Sequence, residues 1–274
     1  MSPFPSRRWG SGPRQALLLH GFTGNRSSFD HLEPLVGDVF TAECVDLPGH
    51  GAGHLEVADF SAVIERLAAR LTRPTTIIGY SQGARLALGL AIRHPHLVER
   101  LVLESGSPGL HRRHDRVLRR RSDEALAALI EADGVDSFIA SWEQQPLFSG
   151  VRALPARVQA RLREVRRSHS AAGLASALRV MGQGAQPDFW SALPTLRVPT
   201  LLLTGSLDAK YTRLARRMAA ELPLAWRVAF RGVGHAPHLE APEAWAAEVR
   251  SFLGSPWTHE PRPDSINAEL EVPR

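Results

Sequence analysis

Short runs of β-branched and aliphatic residues recur along the chain, and most are followed by a stretch with helical period. Ala16 to Leu19, Phe40 to Val45, Thr75 to Ile78, Leu101 to Leu103, Pro199 to Gly205 and Trp226 to Phe230 read as strands. The central runs lack polar alternation, the mark of strands buried on both faces. Phe4 to Trp9 adds at most one edge strand. Amphipathic helices are expected over Asp59 to Leu71, Ala84 to Ile92, Arg213 to Leu222, and from Pro237 to Leu253. Strands alternating with helices imply parallel pairing and an α/β, doubly wound sheet. From Pro108 to about Trp190 the period is helical throughout, in Val117 to Ile130, Gly134 to Trp142, Pro155 to Arg167 and Ala172 to Met181. The expected division is therefore a core of residues 1–107 and 192–254, a helical cap over 108–191, and a polar, proline-rich tail over 255–274. No internal repeat is visible.

Composition narrows the class. At 274 residues, one large α/β domain or two small ones would fit, and core size is not limiting. The chain is 43% hydrophobic and 22% charged, as in an ordinary soluble globular protein. Its single cysteine, Cys44, excludes an intramolecular disulfide and fits a reducing compartment. Ala16 to Leu19 is too short for a signal-peptide core, and no apolar run approaches the ~18 residues of a membrane span. The expectation is a cytoplasmic protein, monomer or homo-oligomer, that does not cross a membrane.

The net charge of +5 is carried almost wholly by arginine, Lys210 being the single lysine. A basic surface suits nucleic acid or an anionic small molecule. No nucleic-acid motif with interleaved aromatics is present, so a small anionic substrate is the better expectation.

Chemistry concentrates at the ends of the strands. Gly79-Tyr80-Ser81-Gln82-Gly83 places a serine between a strand and a helix, the G-x-S-x-G nucleophile elbow. Such a turn strains the serine backbone and projects its hydroxyl, and side chains at the flanking glycines would collide with neighbouring elements. Asp208 and His235 also follow strands, in the order nucleophile, acid, base. His235 would take the Ser81 proton and Asp208 would fix the imidazole tautomer. Asp208 could also cap the helix after it, and Glu104, likewise after a strand, is a rival acid. His20-Gly21-Phe22-Thr23-Gly24 follows the first buried strand, so the Phe22 and Gln82 backbone N–H groups are the expected oxyanion-hole donors. His50 and His54 are four apart, but the prolines and glycines around them forbid the helix that a metal pair would need, so no metal is expected. His238 and Glu240 are expected to be surface or packing residues.

These motifs resemble the α/β-hydrolase superfamily over nearly the whole chain, with the helical cap inserted after the sixth strand by that fold's convention and an abbreviated N-terminal region. The cap carries Arg121-Ser122-Asp123, Trp142-Glu143-Gln144-Gln145-Pro146-Leu147-Phe148 and Arg167-Ser168, and the elbow helix carries Arg85. With Val45-Asp46-Leu47-Pro48-Gly49-His50-Gly51 and Glu104-Ser105-Gly106-Ser107-Pro108-Gly109-Leu110, these resemble the 2-succinyl-6-hydroxy-2,4-cyclohexadiene-1-carboxylate synthases of menaquinone biosynthesis. The resemblance implies an elimination without cofactor. A ring proton is abstracted from 2-succinyl-5-enolpyruvyl-6-hydroxy-3-cyclohexene-1-carboxylate, charge passes through an oxyanion, and pyruvate leaves. It further implies that Tyr80, Arg85, Trp142, Arg167 and either Arg119 or Arg121 bind a substrate with several carboxylates, which arginine can hold in bidentate pairs. A serine ester or carbon–carbon bond hydrolase, and a ligand receptor without catalysis, are the alternatives.

Overall fold

The computed structural model describes residues 4–53 and 57–255. Seven strands form one sheet: β1 (Ser6–Trp9), β2 (Arg14–Leu19), β3 (Phe40–Val45), β4 (Thr75–Tyr80), β5 (Val98–Glu104), β6 (Thr200–Gly205) and β7 (Ala225–Phe230). Their order is β1-β3-β2-β4-β5-β6-β7. Only β1 runs antiparallel, against β3; all other pairs are parallel.

The helices are α1 (Glu33–Val36), α2 (Phe60–Ala68), α3 (Gln82–Arg93), α4 (Arg113–Trp142), α5 (Ser149–Arg152), α6 (Ala156–Arg167), α7 (Ala171–Met181), α8 (Ala209–Glu221), α9 (Pro237–Glu240) and α10 (Pro242–Gly254). Consecutive strand residues serve opposite faces of the sheet. Leu17, Leu19, Ile77, Leu101, Leu103 and Leu202 pack with α2, α3 and α8. Leu18, Ile78, Val102, Leu201 and Leu203 pack with α1 and α10 on the other side. A strand with a period of two that is covered on both faces needs apolar residues at every position, which is why these runs show no alternation. Cys44 belongs to the second layer, and burial pushes its thiol up to about 12, so it is a packing residue rather than a reactive one.

Helices α4 to α7 lie between β5 and β6 in the chain. The strand before this insert is the fifth here, because only β1 precedes β2 among the described residues. The insert has its own small core of Ala127, Ile130, Phe138, Ile139, Leu174, Ala175 and Leu178, with Phe22 from the loop after β2 packed against it.

Several boundaries differ from expectation. The first insert helix begins at Arg113 and runs to Trp142, kinked at Gly134, where φ is 79° and ψ is 170°. A short α5 follows it that the sequence pattern did not announce. The expected helix from Pro237 to Leu253 breaks at Ala241, where φ is −147°. Pro242 disfavours helical angles in the residue before it, so one helix becomes two. Asp59 caps α2, its carboxylate accepting from the Ala62 N–H at 2.9 Å. His54 and the residues from 256 onward lie outside the described residues. No helix among the described residues is long and apolar enough to cross a membrane.

Candidate active site

The elbow has the geometry its spelling requires. Ser81 has φ of 50° and ψ of −103°, a strained conformation for a residue with a side chain. A Cβ on Gly79 would lie 2.5 Å from the Gly83 carbonyl oxygen, and one on Gly83 would lie 2.0 Å from that of Leu19. Neither position can carry a side chain without moving backbone. Ser81 precedes the first turn of α3, whose free N–H groups and dipole favour negative charge nearby.

His235 reaches this serine from the loop after β7, its Nε2 lying 3.2 Å from Ser81 Oγ. Its Nδ1 donates to Asp208 Oδ2 at 2.6 Å. Asp208 follows β6 and also caps α8, its other oxygen accepting from the Tyr211 N–H at 3.2 Å. One carboxylate thus both caps α8 and holds His235. The backbone of the histidine loop is pinned on both sides. Ser105 Oγ donates to the His235 carbonyl at 2.8 Å, and Glu240 accepts from the N–H groups of Gly234 and Ala236 at 2.6 and 3.0 Å. Glu104 is occupied elsewhere, accepting from His238 Nδ1 at 2.6 Å and Trp245 Nε1 at 2.8 Å. That buried set makes His238 a structural residue, as the pinning of the histidine loop does Glu240.

Gly21 lies against the elbow: a Cβ there would be 3.5 Å from the Ser81 Cβ. Among the described residues neither the Phe22 nor the Gln82 N–H has a hydrogen-bond partner. Both residues line a cavity of about 480 Å³ together with Ser81 and His235.

Three cations line the same cavity. Arg85 is buried, and its guanidinium donates from Nη1 to the Met181 carbonyl at 2.8 Å. Burial lowers its pKa to about 10, and no carboxylate of the described residues forms an ion pair with it. Arg119 is braced: its Nε donates to Asp123 at 2.7 Å and its Nη1 to Gln183 at 2.8 Å, while Asp123 also accepts from the Gly184 N–H. Lys210 is the third, its pKa lowered first by burial and then by Arg119, with Asp208 opposing. Tyr211 and Tyr80 flank the His235 ring at 4.7 and 5.5 Å between centroids. Burial raises the pKa of both phenols, so they stay neutral donors. The indole Nε1 of Trp142 is buried at the cavity without a partner, as is Gln82 Oε1. Buried polar atoms left unpaired are uncommon and cost free energy, so this donor and this acceptor point to a ligand that uses them.

The structure therefore gathers Ser81, His235, Asp208, Phe22, Gln82, Tyr80, Arg85, Arg119 and Trp142 about one cavity. It does not bring Arg121 or Arg167 there. Arg121 is exposed on α4. Arg167 is half exposed, 3.0 Å from Asp136. Arg121 stands two residues from the inward Arg119 and Arg167 one residue from the inward Arg166, and each residue along a helix turns the side chain by about 100°. Arg166 is the inward member of its pair, bonded to Glu143 at 2.8 Å and 5.6 Å from the Phe148 ring centroid. Sequence reasoning missed Lys210 and Tyr211. The available signals were that Lys210 is the only lysine and that both residues directly follow Asp208.

Residues 16–248 match the model of the alpha/beta hydrolase family. The chain is 32% identical over 247 residues to 2-succinyl-6-hydroxy-2,4-cyclohexadiene-1-carboxylate synthase of Klebsiella pneumoniae, covering 87% of this chain and 93% of that one. Among solved structures it superposes on MenH from S. aureus with a TM-score of 0.86 and 30% identity, covering 90% of this chain and 97% of that one. It also superposes on a thermophilic esterase from Thermogutta terrifontis, with a TM-score of 0.78 and 27% identity over 91% of this chain and 92% of that one.

Proposed function

The chain belongs to the alpha/beta hydrolase family, and on that premise we propose that it is a lyase forming 2-succinyl-6-hydroxy-2,4-cyclohexadiene-1-carboxylate by eliminating pyruvate. The observation that carries this reading is Arg85. A buried guanidinium with no carboxylate partner is expensive, and the expense makes sense where an anionic substrate supplies the missing charge. The substrate bears three carboxylates, on the ring, the succinyl arm and the enolpyruvyl group. Arg85, Arg119 and Lys210 offer one cation for each, and Trp142 Nε1 and the Tyr80 hydroxyl offer neutral donors.

In this reading helices α4 to α7 cap the core, and Ser81 is the base, deprotonated through His235 while Asp208 holds the imidazolium. The serine oxygen takes the proton from the ring carbon that bears the succinyl carbonyl. The C–H electron pair moves onto that carbonyl oxygen, where the Phe22 and Gln82 N–H groups stabilise the charge, each such donor being worth about 3 kcal/mol in the transition state. Return of the pair through the ring expels the enolpyruvyl oxygen with its bonding electrons. The pyruvate enolate then takes a proton relayed through His235, restoring the triad. No acyl-enzyme forms.

The second reading, ester hydrolysis, is supported by the likeness to the Thermogutta esterase, since a Ser-His-Asp set and an oxyanion hole serve acyl transfer equally well. Pyruvate release from the enolpyruvyl substrate, beside p-nitrophenyl acetate hydrolysis, separates the two. The lyase reading requires pyruvate release that falls at least about a thousandfold in Ser81→Ala. Rapid ester turnover without pyruvate release would replace it with a hydrolase.

A further inference from the structure

The loop that carries the Phe22 N–H is not held by the sheet. Three consecutive peptide groups of residues 21–24 are each gripped by a different imidazole. His20 Nδ1 donates to the Gly21 carbonyl at 2.8 Å, which belongs to the same peptide unit as the Phe22 N–H. The Thr23 N–H donates to His50 Nε2 at 3.2 Å, fixing the next peptide. His169 Nε2 donates to the Thr23 carbonyl at 2.9 Å, fixing the third.

The proton on each ring is assigned by its other bond. His20 Nε2 accepts from the Leu47 N–H, so its Nδ1 carries the hydrogen. His50 Nδ1 donates to the Pro48 carbonyl, so its Nε2 accepts. His169 Nδ1 accepts from the Gly51 N–H, so its Nε2 donates. All three rings must be neutral for the set to exist, since an imidazolium has no acceptor nitrogen. Burial keeps them so, lowering the pKa of each, that of His20 to about 4.

Thr23 needs this grip. It is a buried, β-branched residue at φ of 68°, a conformation that persists only where the surroundings dictate it. Two of its anchors belong to the sheet side of the molecule. The third comes from the helical insert, since His169 lies in the turn between α6 and α7. The same turn is locked onto the core: a Cβ on Gly49 would lie 2.1 Å from the Gly173 carbonyl oxygen at the start of α7.

We propose that His169 is a positioning residue for the oxyanion hole, by which the docked helical insert fixes the direction of the Phe22 N–H through the Thr23 peptide. This rests on the reading of Phe22 as an oxyanion donor but not on which reaction uses it. His169 touches neither the serine nor the cavity, so it acts through the loop alone.

The test compares His169→Phe, which fills the space and removes both bonds, with His169→Gln, whose amide nitrogen can still donate to the Thr23 carbonyl. Thermal melting monitors the fold of each, and both pyruvate release and p-nitrophenyl acetate hydrolysis are measured. For whichever reaction the wild type performs, kcat should fall about tenfold to a hundredfold in His169→Phe with KM within about twofold, because ground-state binding does not use the oxyanion donors. His169→Gln should recover most of the loss. Wild-type kcat in His169→Phe would overturn the inference, as would a loss that follows melting temperature and is equal in both variants. If only the ester is turned over, the lyase reading fails while this one is still decided on the ester.

Discussion

At the level of single residues, the spelling of a motif was legible wherever sterics dictate it. Gly79, Gly83 and Ser81 stand where a strand must turn into a helix without room for side chains, so the elbow could be read letter by letter. Asp208 and His235 were legible because each follows a strand. The arginines of the insert were not, because a helix turns each successive side chain by about 100° and a run such as Arg119-Arg120-Arg121 gives no phase. Packing against Asp123 and Gln183 supplies that phase and turns Arg119 towards the cavity. Arg85 leads to a prediction on two axes. Replacing it with leucine removes a buried cation whose charge is destabilised by its surroundings, so the ligand-free protein should gain about 1 kcal/mol or more. For a chain of this size that is a rise in melting temperature of about 2 °C or more. The same variant should lose about a hundredfold or more in kcat/KM for pyruvate release, equivalent to a lost charge pair of about 3 kcal/mol. Thermal melting together with steady-state kinetics checks both, and a less stable, fully active Arg85→Leu would remove the argument for an anionic ligand.

Among elements, strands were the most legible, because burial on both sheet faces writes continuous apolar runs. Helix ends were less so. The gap expected between Ile130 and Gly134 is a single kink in one long helix, and the helix expected from Pro237 onward is two. Both departures come from backbone rules at one residue, a glycine at φ of 79° in the first case and an alanine before a proline in the second. The kink has a consequence for the site, because it sets the direction of the last two turns of α4, which end at Trp142. At Gly134 an added Cβ would meet nothing within 4 Å, so its cost is conformational rather than a clash. Gly134→Ala should therefore destabilise by about 1–3 kcal/mol, as for other side chains forced into glycine-only backbone angles. Urea unfolding measures this, and KM for the anionic substrate should rise as Trp142 is displaced. A variant with unchanged unfolding midpoint and KM would mean that the helix tolerates a straight path.

For the whole molecule, the alternation of strands and helices made the doubly wound sheet legible, and the change of period located the insert, but how insert and core are fastened was not. The fastening is done by histidines, which in sequence look like loop residues or a metal pair. Their burial gives the molecule an acid limit with a definite sign. His20 and His31 are lowered from 6.5 to about 4, and His50 and His169 are lowered as well, burial being the largest cause for each. Asp46 favours the charged forms of His20 and His169, while His238 and Arg161 oppose that of His31, and none of these outweighs burial. The unfolded chain takes up these protons near pH 6.5, and the folded chain does so only at lower pH, nearer 4 for His20 and His31. Stability is therefore full above about pH 6.5 and declines as the pH falls towards 4, by at most about 1.4 kcal/mol per pH unit for each histidine that stays neutral in the fold. Urea unfolding at a series of pH values between 7.5 and 4.5 should show the midpoint falling steadily across this window. In His169→Gln the same series should be shallower, by at most about one proton, since glutamine has none to gain. A midpoint flat from pH 7 to 5 would mean that these imidazoles are protonated in the folded state as readily as in the unfolded one, and that the neutral set holding Thr23 does not exist.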